Sequence, residues 1–271
     1  MHAGLHNHTN FADGAASAED MVRAAIEKGC TAIGFSEHSE TPFDPPGGMK
    51  SGAFLSYRDE IFRLKEKYRG KIEISLGIEQ DIFSPPADRT NLDFVIGSVH
   101  YVSENGEYFS VDESVEGFER NVKQGFGGDV HAFAEAYYDT LSRIFDVTRC
   151  DIVGHFDLIT KFNERLPLID EQSQRYRAAA LQALDALCKT GAIFEINTGA
   201  TARGYRTAPS PAPWLLRAMR ERGARITLSA DAHSTDGICA HFSQAKRLAK
   251  ACGYQTAAEF RNGRFVDVPL D

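Results

Sequence analysis

The residues in this sequence that are best able to do chemistry are histidines and carboxylates that follow short apolar runs. Two of them, His6 and His8, stand one residue apart just after the run 3–5. Side chains at positions i and i+2 of an extended chain point to the same side, so the two imidazoles can converge on one point. The spacing therefore predicts a metal site, and the complete set of predicted ligands is His6, His8, Asp13, His38, Glu79, His100, His155, Asp231 and His233.

This set is larger than one ion needs. A hydrogen-bonded histidine near a turn would explain any single member, but it gives no reason for imidazoles and carboxylates to recur at the ends of successive apolar runs. These two groups are the ligands that hold Zn, Mn or Fe. Because one ion usually takes three or four protein ligands, the set predicts two or three divalent transition-metal ions.

The elements that must position these ligands alternate along the chain. Apolar runs are followed by amphipathic helix patterns, and parallel strands need such helical crossovers. The predicted strands are residues 3–5, 31–36, 73–78, 94–99, 151–154, 192–196 and 225–229. Seven units predict an α/β fold, a distorted seven-stranded (β/α)7 TIM-like barrel or an incomplete one. Active sites of such barrels lie at the carboxyl ends of the strands, where every predicted ligand stands.

Length and composition favour one domain over residues 1–271. The chain is 42% hydrophobic and 25% charged, which suits a single α/β domain of this size. The polar, glycine-rich stretch at about 101–129 breaks the alternation of strands and helices. We interpret this stretch as a loop insertion over the active site.

Charge and hydropathy argue against nucleic acid and membranes as partners. The net charge of −8 gives no general attraction for nucleic acid or for an anionic membrane. The chain has no apolar run near 18 residues and no leader pattern, so we expect a soluble cytoplasmic protein. The five widely spaced cysteines indicate reduced thiols rather than a zinc knuckle. The oligomeric state is not indicated.

Seven short motifs occur in a characteristic order. They are H-N-H at residues 6–8, F-A-D-G, E-H after the second strand, G-I-E, G-S-V-H, G-H-F-D and S-A-D-A-H. Over about residues 4–235 this set resembles the polymerase and histidinol phosphatase (PHP) family, and most of all its stand-alone histidinol-phosphatases. The resemblance implies a distorted seven-fold barrel with a trinuclear metal centre.

The resemblance also implies roles for individual residues. One ion would be held by His6, His8, Glu79 and Asp231. A second would share the bridging Glu79 with His100 and His155, and a third would use Asp13, His38 and His233. The residues expected to act in catalysis are Glu79, Asp231 and His233. Lys161 and Arg203 would meet the phosphate, and Asn197 is a further candidate for substrate binding.

The implied activity is hydrolysis of L-histidinol phosphate to L-histidinol and phosphate, a step of histidine biosynthesis. An alkyl phosphate is a dianion with a poor leaving group, so an acidic protein must concentrate cations around it, and we expect attack by metal-bound hydroxide. Two alternatives stay open. One is a PHP phosphoesterase for nucleotides or oligonucleotide ends, and the other is a metal-binding protein without catalysis.

Overall fold

Six parallel strands form the frame of the fold, which is described by a computed structural model covering residues 2–271. The strands of the chain are β1 (Ala32–His38), β2 (Glu73–Asp81), β3 (Phe94–Ser98), β4 (Tyr101–Glu104), β5 (Glu107–Ser110), β6 (Ile152–Val153), β7 (Ile193–Asn197), β8 (Ile226–Ser229), β9 (Thr256–Arg261) and β10 (Arg264–Pro269). The sheet runs in the order β1-β2-β3-β6-β7-β8, and every neighbouring pair is parallel. The predicted α/β class with a parallel sheet is confirmed.

Helices connect the strands and bury their apolar faces against the sheet. They are α1 (Ala18–Glu27), α2 (Ala53–Lys67), α3 (Val115–Phe126), α4 (Val130–Ser142), α5 (Ile144–Thr148), α6 (Gln174–Leu187), α7 (Gly199–Ala202), α8 (Pro213–Glu221) and α9 (Phe242–Ala251). The first is typical: Ser17 accepts a hydrogen bond from the Asp20 amide, and Met21, Val22 and Ala25 are buried. Within residues 2–271 no helix combines the length and apolarity needed to cross a bilayer.

The first predicted strand differs from the observed structure. The Ala3 amide donates to Ala32 and the Gly34 amide donates to Gly4, while the His8 amide donates to Ala232. Residues 2–8 therefore bond to the edge strand β1 and to the segment that follows the other edge strand, β8, but they form only isolated bridges. The reason is Gly4, whose φ of +82° interrupts the extended backbone.

The strands place alternate side chains inside and outside the curled sheet. On β3, Phe94 and Ile96 lie in an inner apolar cluster, whereas Val95 packs in the outer core beneath the helices. On β7, Ile193 belongs to the inner cluster and Phe194 to the outer core. This alternation of period two sends Ser98 and Glu195 to the inside, next to the carboxyl ends of their strands.

The amino end of the sheet is covered by the antiparallel hairpin β9–β10. Phe260 is 4% exposed and lies in the inner cluster with Leu5, Phe94 and Ile152. The Thr227 hydroxyl donates to Ala258 at 2.9 Å and attaches the hairpin to β8. The hairpin therefore closes one end of the interior with apolar side chains.

Residues 101–126 contain regular structure rather than a loop alone. Strands β4 and β5 pair antiparallel, and the helix α3 follows them. The Val111 amide donates to the carbonyl of His100 at 2.9 Å, which ties this segment to the end of β3. Its aromatic and acidic side chains line a cavity beside His38 and His100.

Candidate metal centre

Glu79 lies at the middle of a cluster of histidines. It comes near the end of β2, where the register pairs it with His38 of β1 and with Ile96 of β3. The residue is 1% exposed. Because parallel strands end at a common edge, the ligands that follow β1, β3, β6 and β8 are all brought toward this carboxylate.

Both oxygens of Glu79 have imidazole neighbours. Oε2 lies 2.8 Å from His38 Nδ1, 3.2 Å from His6 Nε2 and 3.6 Å from His8 Nε2. Oε1 lies 2.9 Å from His155 Nε2 and 3.3 Å from His100 Nε2. Five histidines that are far apart in the chain therefore surround one carboxylate.

The remaining predicted ligands lie around His8. Its ring stacks between those of His38 and His233, with centroid distances of 4.4 and 4.3 Å. His233 Nε2 is 3.0 Å from Asp13 Oδ2. His8 Nε2 is 3.3 Å from Asp231 Oδ1. All nine predicted ligands therefore lie in one cluster.

Three subsets of this cluster could each hold a metal ion, because their ligand atoms lie within 4.8 Å of one another. The subsets are His8, Asp13, His38 and His233; His6, His8 and Asp231; and His38, Glu79 and His100. The last subset differs from the ligand set that the resemblance implied for the second ion. That set was Glu79, His100 and His155, and here His38 takes the place of His155. His155 nevertheless contacts the same Glu79 oxygen as His100.

The hydrogen bonding of the cluster fits bound cations. Buried polar atoms normally have partners, and an unpaired one costs about 1–3 kcal/mol. Here both ring nitrogens of His8, Nε2 of His6 and Oε2 of Glu79 are buried without a hydrogen-bond partner of acceptable geometry. Divalent ions would satisfy these atoms as ligands.

Neighbouring carboxylates orient the histidines. Glu195 Oε1 lies 2.7 Å from His6 Nδ1, and its Oε2 accepts from the His155 amide. Asp81 Oδ2 accepts from the His100 amide and lies 3.3 Å from that residue's Nδ1. Fixing one ring nitrogen directs the other toward the centre, which is the usual arrangement around metal-ligating histidines.

Electrostatics keep the carboxylates ionised. Burial alone would raise the pKa of Glu79, but the surrounding His6, His38 and His100 hold it well below its usual range. Burial would lower the pKa of His38, but Glu79 and Asp13 outweigh it and raise that pKa to about 10. Burial and the neighbouring His233 and His38 lower the pKa of His8 to about 3, so His8 is neutral and able to coordinate.

The predicted substrate-binding residues border the cluster. The Lys161 ammonium contacts Asp112 Oδ2 and its carbonyl oxygen, both at 2.9 Å. Arg203 donates to the carbonyl and the Oδ2 of Asp231 at 2.9 and 3.0 Å. The amide of Asn197 donates to Glu195 and lies 3.4 Å from Asp231 Oδ2.

The sequence interpretation missed three residues at this site. Asp81 orients His100, Ser98 donates to Glu79 Oε1 at 2.6 Å, and Asp112 holds Lys161. Asp81 and Ser98 could have been found, because Asp81 follows Glu79 at i+2 and Ser98 precedes His100 at the same spacing. No signal identified Asp112, since its position depends on the hairpin and helix that surround it.

The sequence is similar to a known protein family. A family model described as the PHP domain matches residues 4–199. A probable histidinol-phosphatase of Deinococcus radiodurans is 30% identical over 247 residues, covering 88% of each chain. One from Schizosaccharomyces pombe is 28% identical over 268 residues, covering 90% of this chain and 84% of its own.

Solved structures share the fold. A protein from Listeria monocytogenes superposes with a TM-score of 0.78 at 19% identity, covering 90% of this chain and 99% of its own. Histidinol phosphate phosphatase from Lactococcus lactis, solved with zinc, L-histidinol and phosphate, gives a TM-score of 0.70 at 22% identity and covers 98% and 100%. The motifs, the family match and the fold agree, and the chain belongs to the PHP domain family.

Proposed function

We propose that this protein hydrolyses L-histidinol phosphate to L-histidinol and inorganic phosphate. The observation that carries the proposal is the convergence of nine histidine and carboxylate side chains around Glu79, several with buried atoms that lack partners. Relatives that match nearly the whole chain are named histidinol-phosphatases. The Lactococcus lactis neighbour was solved with zinc and both reaction products.

We assign the metal ligands as the sequence predicted. Two or three divalent ions of the zinc, manganese or iron type would be held by His6, His8, Asp13, His38, Glu79, His100, His155, Asp231 and His233. Glu79 would serve more than one ion because its two oxygens face different histidines. Asp231 is a suitable ligand because it is ionised. Burial alone would raise the pKa of its carboxyl group, but the neighbouring Arg203 and His6 hold that pKa well below its usual range.

The bound ions would neutralise the phosphate, lower the pKa of a coordinated water and stabilise the departing alkoxide. The residues of the chain hold this arrangement in place. We assign Glu79, Asp231 and His233 to catalysis through their positions in the cluster. The backbone carbonyl of Asp231, 3.0 Å from His233 Nδ1, fixes that ring so that Nε2 faces Asp13.

Two basic side chains complete the proposed phosphate site. Arg203 presents a planar guanidinium beside Asp231 and His233, and such a fork suits phosphate oxygens. Lys161 supplies a single positive charge held by Asp112. Asn197 would border the substrate next to Asp231, with its side-chain oxygen already accepting from the Gly199 amide.

We also infer the finer architecture of the barrel. Residues 2–8 bond to β1 and to Ala232, just beyond β8, and would take the place of a seventh strand. The result would be a distorted seven-stranded (β/α)7 barrel in one domain over residues 1–271. Cytoplasmic location stays a prediction from the sequence.

The test is an assay of phosphate release by purified protein, with bound metal measured on the same sample. The substrates are L-histidinol phosphate, nucleoside monophosphates and short oligonucleotides. We expect the highest kcat/KM with L-histidinol phosphate. Preference for a nucleotide or an oligonucleotide would favour the alternative phosphoesterase, and a metal-loaded protein without activity on any ester would contradict the proposal.

A further inference from the structure

The cavity over the metal cluster has a second group of lining residues besides the metal ligands. Its volume is ≈ 880 Å³. His38, His100, Asp13 and Lys161 line one part of it. The other part is formed by the loop that follows β1 and by the hairpin β4–β5, and its residues include Phe43, Asp44, Tyr101, Glu107 and Tyr108.

Aromatic rings form a wall in this second part. Phe43 and Tyr108 stack with centroids 3.9 Å apart and an interplanar angle of 13°. Tyr101 meets Phe43 edge to face at 4.9 Å, and Phe83 meets Tyr108 at 5.1 Å. Tyr108 is nevertheless 44% exposed. The rings of this wall therefore pack against one another, while part of Tyr108 stays available for contact.

A carboxylate is fixed beside this wall. The Tyr101 hydroxyl donates a hydrogen bond to Asp44 Oδ2 at 2.5 Å. Gly47 leaves room for the pair: a Cβ there would lie 2.6 Å from the Tyr101 oxygen and 2.8 Å from Asp44 Oδ2. The carboxylate is thus held in one orientation.

The charges of the cavity leave Asp44 without a basic partner. Five carboxylates line it, and they are Asp13, Asp44, Glu107, Asp112 and Glu113. Its lysine and its arginine are already paired, Lys161 with Asp112 at 2.9 Å and Arg120 with Glu113 at 2.8 Å. Among residues 2–271 no lysine or arginine forms an ion pair with Asp44 or Glu107. This part of the cavity therefore favours a cationic group.

We propose that Asp44 and the rings of Phe43 and Tyr108 bind the alcohol half of the substrate and select a leaving group that carries both an ammonium and an aromatic ring. The inference rests on the proposed function, because L-histidinol carries both groups. Asp44 accepts hydrogen bonds from the ammonium, and the imidazole packs on the exposed ring of Tyr108. Asp44, Phe43 and Tyr108 would determine specificity and take no part in breaking the P–O bond.

Three phosphate monoesters separate the two contacts. L-Histidinol phosphate carries the ammonium and the ring, phosphoethanolamine only the ammonium, and phenyl phosphate only the ring. With metal-loaded protein, we expect Asp44→Asn to lower kcat/KM for the two ammonium esters about tenfold relative to phenyl phosphate, mainly through KM. Tyr108→Ala is expected to lower kcat/KM for the two ring-bearing esters about fivefold relative to phosphoethanolamine.

The control is Glu104→Gln, which removes a carboxylate of the same hairpin that is not among the residues lining the cavity and should retain the wild-type ratios. If Asp44→Asn does not fold, Tyr101→Phe provides the same test, because it removes the hydroxyl that orients Asp44. This variant should reduce the preference for ammonium esters about threefold. Equal loss on all three esters, or no change of their ratios in any variant, would overturn the proposed subsite.

The same three esters distinguish failure of the proposed subsite from failure of the proposed function. A wild-type protein that hydrolyses phosphoethanolamine but not L-histidinol phosphate would refute the histidinol-phosphatase function. In that case, a selective loss on phosphoethanolamine in Asp44→Asn would still support the ammonium site.

Discussion

The two ends of the space inside the curled sheet are built from opposite kinds of residue, although the same strands supply both. At the amino end, β3 contributes Phe94 and Ile96, and they pack against Phe260 of the closing hairpin. At the carboxyl end, the inward positions become Ser98 on β3 and Glu195 on β7. A shift of a few positions along one strand therefore changes the interior from a dry apolar cluster to a charged one.

The amino end of this space therefore contributes to the stability of the fold, and the carboxyl end contributes to function. Apolar burial at the amino end is favourable without any ligand, at about 25 cal/mol per Å². At the carboxyl end, buried nitrogens of His6 and His8 lack partners, which is unfavourable until cations coordinate them. We expect mutations at the two ends to have separable effects, and the following predictions test that separation.

The largest effect is expected for Glu79→Gln, which keeps the size of the side chain but removes the charge shared by five histidines. Activity should fall about a thousandfold or more, with loss of bound metal, because the ions lose their common ligand. The measurement is kcat/KM together with metal content, and circular dichroism serves as the control for folding. Near wild-type turnover in metal-loaded Glu79→Gln would contradict the bridging role.

Phe260→Ala should lower stability and leave activity almost unchanged, which is the opposite of the effect expected for Glu79→Gln. The ring is 4% exposed at the amino end, so its loss should lower the free energy of unfolding by about 3 kcal/mol. Chemical denaturation measures this change, and kcat/KM at 25 °C should stay near the wild-type value. A loss of activity in the folded variant comparable to that of Glu79→Gln would show that the two ends are not separable.

Glu195→Gln should weaken metal binding without removing a ligand. The carboxylate contacts His6 Nδ1 at 2.7 Å and accepts from the His155 amide. Loss of such an orienting group typically reduces metal affinity tenfold to a hundredfold. Competition with a chelator would measure the change, and excess metal should restore activity. A variant that stays inactive at saturating metal would indicate a different role for Glu195.

The smallest effect concerns pH. Without metal, the pKa of His38 is raised to about 10 by Glu79 and Asp13 despite burial, so the ring carries a proton at pH 7. Coordination must displace that proton, so metal affinity rises with pH and should fall about tenfold for each unit of pH lost. Calorimetry in buffers of different ionisation enthalpy should detect proton release. Metal binding without proton release at pH 7 would argue against His38 as a ligand.

Local patterns were sufficient for much of the fold. The helix caps and the apolar runs follow from short-range preferences, and the parallel α/β class is confirmed. The first strand was less predictable, since Gly4 breaks it into isolated bridges. The stretch at 101–129 was predicted as a loop insertion, whereas pairing of Tyr101 with Ser110 makes it begin as a hairpin.

The residue types at the ends of the strands follow from the amino-acid order, because alternation along a strand and turn chemistry are local properties. Which of these residues meet depends on long-range packing: His6, His100 and His155 reach one carboxylate although they are far apart in sequence. The same holds for Lys161 with Asp112 and for Tyr101 with Asp44. Such pairs depend on how the sheet curls and how the insertion packs, and a one-dimensional pattern does not contain that information.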